Sequence, residues 1–270
     1  MPSLRCNPIA MTRALSIRPL LTATHRYEKT VSTRGRGHGV YIDAPILAYL
    51  IETLNGRILF DVGCDYHKIA TPELRKKYLE PMRPTFDVPE MSQTQRIPAY
   101  LERLGLSVAD IDLVFLSHLH FDHAGGLCDV PGCDVHLHAA EVEAADTGDV
   151  SGIFEDEIAD RQRWKIQQGD YDVAPGVHAF ETPGHTAGHM SLFIELPRGA
   201  PVILCGDAAD LTENLTDEIA PGYCWQDREA EALASIRRIK QMGATENAEL
   251  WPNHDLDFFR GLPAFPAYRD

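Results

Sequence analysis

No segment of the 270-residue sequence reaches the length of apolar chain, about 18 residues, that a membrane-spanning helix needs. The opening Met1-Pro2-Ser3-Leu4-Arg5-Cys6-Asn7-Pro8 has no apolar core of the secretory-signal kind. Basic residues are scarce: 25 Lys and Arg stand against 40 Asp and Glu, for a formal charge of −15. Phosphate binding needs basic clusters, so nucleic acid is not an expected partner. The stretch Arg34-Gly35-Arg36-Gly37-His38 is a local exception and reads as a loop. The six cysteines form no CxxC and no repeat spacing. Free thiols in a reducing cytoplasm are therefore expected, rather than a disulfide framework or a cysteine zinc site. No Ser-, Gly- or Pro-rich linker and no internal repeat divides the chain, so residues 1–270 read as one domain.

Histidine and aspartate are what the sequence concentrates. His118-Leu119-His120-Phe121-Asp122-His123 packs three imidazoles and one carboxylate into six residues, directly after the apolar run Ile111 to Leu116. A strand followed by a tight loop aims these side chains into one small volume. Buried without a partner, they would be costly; as ligands of zinc or a neighbouring divalent metal they fit. The spacing suits two metal centres better than one. His118 and His120 share a face of extended chain, while Asp122 and His123 lie past the bend and can face a second ion. Gly125-Gly126 then lets the backbone pass where a side chain would clash.

Further candidates lie downstream. Thr182-Pro183-Gly184-His185-Thr186-Ala187-Gly188-His189 is a glycine-rich loop with two imidazoles, set between strand-like runs 177–180 and 190–194. Val202 to Cys205 is a short apolar strand ending in Gly206-Asp207, and a carboxylate there can bridge two ions. Leu250 to Asp255 places His254 behind another short apolar stretch. Elsewhere, 46–51 and 58–60 read as a hairpin turning at Asn55-Gly56. Residues 97–106 read as a helix closed by Gly105. Val135 to His138 reads as a strand whose His136 and His138 are structural, followed by a helix over 139–145. Residues 228–242 read as a helix ending at Gly243.

The order HxHxDH, GHxxGH, strand-Gly-Asp and a late His resembles the metallo-β-lactamase superfamily, and more narrowly the N-acyl homoserine lactonases. Phe60-Asp61-Val62-Gly63 and Gly169 to Val177 extend the likeness over most of the chain. The resemblance implies an α/β fold, a four-layer αββα sandwich with the metals in loops along one edge. It implies two divalent ions, with zinc the first choice and manganese, iron or cobalt also open. It makes His118, His120 and His189 ligands of one ion, Asp122, His123 and His254 ligands of the other, and Asp207 the bridge. His185 is left as a supporting imidazole, and Asp61 as the carboxylate that orients a ligand imidazole. Lactonases of this type carry Tyr three residues after the bridging Asp; this chain has Asp210, with Tyr223 as a nearby phenol that could substitute. The late motif has Asn253 before the His, where the family commonly has Gly.

The activity so implied is ring opening of a lactone, foremost an N-acyl homoserine lactone, by attack of a metal-bridging hydroxide. Asp122 would move the proton to the leaving group. Phe121, Asp210 and Tyr223 are the expected substrate contacts, with Phe121 beside an acyl chain. The expected partner is a small-molecule lactone or ester; a homodimer is compatible with this reading. The alternatives are another lactone, an ester or a thioester such as an acyl-glutathione, or a metal-binding protein with an idle site.

Overall fold

The computed structural model describes residues 13–148 and 152–270. The opening octapeptide and Cys6 lie outside the described residues. Among the described residues, eleven strands form two sheets. The first runs β1 (Ser16–Glu28), β2 (Tyr41–Thr53), β3 (Gly56–Phe60), β4 (Leu113–Phe115), β5 (Asp134–His138) and β6 (Trp164–Gln167), paired in that order. The second holds β7 (Tyr171–Ala174), β8 (Val177–Glu181), β9 (Met190–Ile194), β10 (Val202–Leu204) and β11 (Glu249–Trp251) in the order β11-β10-β9-β8-β7. The helices are α1 (Tyr66–Ala70), α2 (Pro72–Tyr78), α3 (Ile97–Arg103), α4 (Phe121–Ala124), α5 (Ala139–Thr147), α6 (Thr212–Asp217), α7 (Glu229–Glu246) and α8 (Leu256–Gly261). No described helix is long and apolar enough to cross a membrane.

The period-two alternation of strand side chains separates the layers. Leu47, Tyr49, Ile51, Ile58, Phe60, Leu113 and Phe115 point from the first sheet into the same buried cluster as Val177, Ala179, Met190, Leu192, Ile194, Val202 and Leu204 from the second. Alternate residues Ala48, Leu50, Leu59, Val114, Val135 and Leu137 instead join Ile97, Tyr100 and Leu101 of α3. Phe180, Phe193 and Ile203 meet Leu215 of α6 and Ile239 of α7. The result is the expected αββα order. Strands covered on both faces need continuous apolar runs, which is why 44–51 reads without clean alternation. Each fully buried Leu, Ile or Phe contributes on the order of 1.5–3 kcal/mol.

Two details differ from the sequence reading. The β2–β3 loop is Leu54-Asn55, because Gly56 already pairs with Thr53. Gly56 sits at φ +129° against the Asp112 side chain, whose carboxylate accepts the Arg57 N–H at 2.8 Å. The positive φ and the close approach both require glycine there. Helix α7 also runs past Gly243 to Glu246 and ends at left-handed Asn247. Gly243 is buried inside the helix, where a Cβ would lie 2.6 Å from Leu250.

Strands β3, β4 and β5 are parallel, as are β10 and β11. Their C-terminal ends therefore open onto one edge of the sandwich. Asp61, Ser117, Cys205 and Pro252 each stand at or just past such an end, and the loop 182–189 joins β8 to β9 at the same edge. The topology gathers the histidine-bearing loops before any side-chain contact is made.

Candidate metal centre

The His118–His123 segment leaves β4, stays extended to His120 at φ −62°, ψ 150°, and then enters the short helix α4. The sharp change of direction aims four side chains inwards. Gly125 allows the helix to seat on the β3–α1 connection: a Cβ there would lie 2.6 Å from the Asp65 backbone nitrogen.

Two groups of donor atoms result. His118, His120, His185 and Asp207 present ligand atoms within 4.8 Å of one another, and so do Asp122, His123 and His254. Asp207 stands between them. Its Oδ2 is 3.4 Å from His185 Nε2 and 3.8 Å from His118 Nε2. Its Oδ1 is 3.2 Å from both His123 Nε2 and His254 Nε2. Asp122 Oδ2 lies 3.7 Å from His123 Nε2 and 3.8 Å from His254 Nε2. Asp207 Oδ2 also lies 3.3 Å from His254 Nε2, so one carboxylate faces both groups.

Neighbours fix how the rings face. His123 Nδ1 donates to Asp61 Oδ2 at 2.8 Å, so its Nε2 is free for the interior. Asp61 also accepts the backbone N–H and the hydroxyl of Ser117, each at 2.8 Å. His254 Nδ1 donates to Pro45 O at 2.8 Å, which likewise turns Nε2 inwards. Asn253 donates its side-chain amide to Asp207 Oδ1 at 3.0 Å, a contact that Gly at this position could not make.

The two imidazoles of the GHxxGH loop exchange the places the sequence reading gave them. His185 joins the first group, with Nε2 3.0 Å from His120 Nδ1. His189 does not. Its Nε2 accepts the Asp207 backbone N–H at 2.9 Å, and its Nδ1 faces Thr182 Oγ1 at 2.8 Å. An acceptor at Nε2 must carry its proton on Nδ1, so neither nitrogen retains a lone pair for a metal. His189 instead anchors the backbone of Asp207. His136 and His138 lie away from both groups; His136 Nδ1 is 3.0 Å from the Tyr171 hydroxyl and His138 caps α5.

Burial and local charge give the groups different protonation. Burial, reinforced by neighbouring imidazoles, holds His118 and His185 well below the usual histidine range. Burial also lowers His120 to about 4 and His189 to about 3. All four rings are neutral, and those of His118, His120 and His185 are available as metal donors. Burial opposes charge on His123 and His254 too, but Asp207 and Asp122 reverse the outcome. His123 is raised well above its ordinary value and His254 to about 10. Burial raises Asp207, yet His123 and His254 more than compensate and hold it well below the usual carboxylate range. The field that retains protons on His123 and His254 is one in which a cation would be favoured.

A cavity of about 250 Å³ opens over this arrangement. Asp122, Asp207, His120, His185 and His254 line its floor, and Tyr27, Val31, Met82, Phe86 and Phe121 give it an apolar side. Phe121 is buried, with its ring edge-on to His25 at 5.9 Å. Tyr223 lies 5.8 Å from the rings of both His120 and His185. Asp210 also lines the cavity; it is buried, and its Oδ1 has no hydrogen-bond partner. Burial and the charge of Asp207 push its carboxyl well above the usual carboxylate range. The sequence reading missed His25, Tyr27 and Phe86. No motif marks them, and only their proximity to the end of β1 in the folded chain brings them to the site.

Residues 42–254 match the model of the metallo-beta-lactamase superfamily. An N-acyl homoserine lactonase from a Bacillus species is 36% identical over 231 residues, covering 85% of this chain and 89% of the relative. The N-acyl homoserine lactonase AiiA of Bacillus thuringiensis subsp. kurstaki is 34% identical, with the same coverage. A solved N-acyl homoserine lactone hydrolase, with the product N-hexanoyl-L-homoserine bound at its catalytic metal centre, superposes with a TM-score of 0.85 at 30% identity. That alignment covers 95% of this chain and all of the other. Fold, motif order and identity over most of the length agree: the chain belongs to the metallo-beta-lactamase superfamily and, within it, to the family of the N-acyl homoserine lactonases.

Proposed function

We propose that this protein hydrolyses the lactone ring of N-acyl homoserine lactones with two divalent metal ions. The observation that carries this reading is Asp207, whose two oxygens face two separate histidine groups on the floor of a part-apolar cavity. The donor chemistry fits metal: Nε2 of His118, His120 and His123 are buried with no hydrogen-bond partner, and all candidate donors are imidazole or carboxylate. His118, His120 and His185 with Asp207 would hold one ion, and Asp122, His123 and His254 with Asp207 the other. Zinc suits this set, as do manganese, iron and cobalt. When bound, such ions supply an acidified water at neutral pH and polarise a carbonyl oxygen.

The remaining work falls to the chain itself. Asp122 is partly exposed and lines the cavity, where its carboxylate can carry a proton towards the leaving alkoxide. Phe121, Met82 and Phe86 form a wall against which an acyl chain excludes water. Asp210 and Tyr223 present polar groups for the amide and the ring. A cytoplasmic setting is part of the reading and is supported by Cys64, Cys128, Cys133, Cys205 and Cys224, all free thiols.

The test is a panel of N-acyl homoserine lactones, a simple γ-lactone, an acyl-glutathione thioester and a β-lactam, run on metal-loaded protein. The N-acyl homoserine lactones should give the highest kcat/KM. Faster turnover of the thioester or the β-lactam would reject the assignment. The same panel examines Asp210, which shapes substrate choice in this reading. Asp210→Tyr should shift relative kcat/KM among the lactones by about tenfold, equivalent to 1.4 kcal/mol of differential transition-state binding. Metal content should stay unchanged. Profiles scaled alike for every substrate would remove Asp210 from specificity, and loss of an ion would make it a ligand.

A further inference from the structure

Glu141, in the first turn of α5, is wholly buried behind the two histidine-bearing loops. Among the described residues no Lys or Arg pairs with it. Its Oε1 accepts the Leu119 N–H at 3.1 Å, and its Oε2 accepts the Gly188 N–H at 2.9 Å. Leu119 lies between His118 and His120. Gly188 lies in the turn that presents His185. One carboxylate therefore ties together the two segments that carry all three imidazoles of the first group. The contact is tight from the other side as well: a Cβ on Gly188 would lie 2.8 Å from the Glu141 Cβ. Glycine at this position lets the loop close onto the first turn of α5.

The second group is held by different atoms. His123 leans on Asp61 and His254 on the Pro45 carbonyl. A buried carboxylate without a cationic partner is costly to keep unless its hydrogen bonds are made. Neither of the Glu141 bonds goes to a candidate ligand ring. Both go to backbone, so their effect is on where the loops stand.

We propose that Glu141 is a positioning residue for the His118, His120 and His185 group, and that it sets the affinity of one metal position while leaving the other unaltered. The inference rests on the two-metal reading given above. Glu141→Gln keeps the size of the side chain but replaces one acceptor by an amide NH2, which would face a backbone N–H. The loops can then no longer both close on it. Loss of an outer partner of this kind weakens metal affinity by roughly 10–100-fold.

The experiment is zinc competition against a chromophoric chelator, run on wild-type and Glu141→Gln protein, with circular dichroism to establish the fold. Wild type should bind two zinc ions. The variant should keep one at wild-type affinity and hold the other roughly 10–100-fold more weakly. Two unchanged affinities, or two weakened alike, would overturn the proposal. If the Gln variant does not fold, Glu141→Asp serves: it keeps the charge but is one methylene too short to reach both N–H groups, and the same split is expected. Wild-type protein that binds no zinc would overturn the two-metal reading itself, and this proposal with it.

Discussion

Asp207→Asn should lower lactone turnover by on the order of a thousandfold in a chain that still folds. Asp207 is the side chain that both donor groups share: Oδ2 lies near His118, His185 and His254, and Oδ1 near His123 and His254. An amide keeps the shape but offers one acceptor oxygen and a pair of N–H donors. Whichever way it turns, a donor faces imidazole nitrogens where a carboxylate oxygen stood. The negative charge that favours cations over the cavity floor is also gone. The fold should be spared, because β10 and the Asp207 backbone N–H, held by His189, are untouched. The measurement is kcat/KM for an N-acyl homoserine lactone beside a circular dichroism spectrum. A loss of less than tenfold would mean that Asp207 does not join the two groups.

The second large effect separates His185 from His189. His185→Ala removes a donor whose Nε2 lies 3.4 Å from Asp207 Oδ2, and the protein should lose close to one metal ion and most of its turnover. His189→Ala removes an anchor that spends its Nε2 lone pair on the Asp207 N–H. It should retain both ions at affinities weakened by roughly 10–100-fold. Elemental analysis of each variant after dialysis decides the matter. Loss of an ion from His189→Ala with retention by His185→Ala would invert the assignment.

The histidines also show what was legible in the sequence. His118, His120, Asp122 and His123 were readable because four donors in six residues behind an apolar strand have few other uses, and the structure brings all four to the site. Asp207 and His254 were readable from their places behind short apolar strands. The choice between His185 and His189 was not. Both follow glycine in one loop, and spacing alone does not say which ring meets the Asp207 backbone. That is decided by a hydrogen bond to a residue 18 positions away. Glu141 was unreadable for a similar reason, since its partners Leu119 and Gly188 lie 22 and 47 residues distant. The four layers followed from the resemblance in motif order, since periodicity alone does not select them. The turn lies one residue earlier than Asn55-Gly56 suggests, because Gly56 already pairs with Thr53, and its glycine is required by a positive φ beside the Asp112 side chain.

The most direct test is to strip the protein of metal and titrate zinc back while following ring opening of N-hexanoyl homoserine lactone. Turnover should be negligible without metal, rise with added zinc and level off at about two equivalents per chain. Full turnover in the metal-free protein, or two bound equivalents with no ring opening, would contradict a two-metal lactone hydrolase.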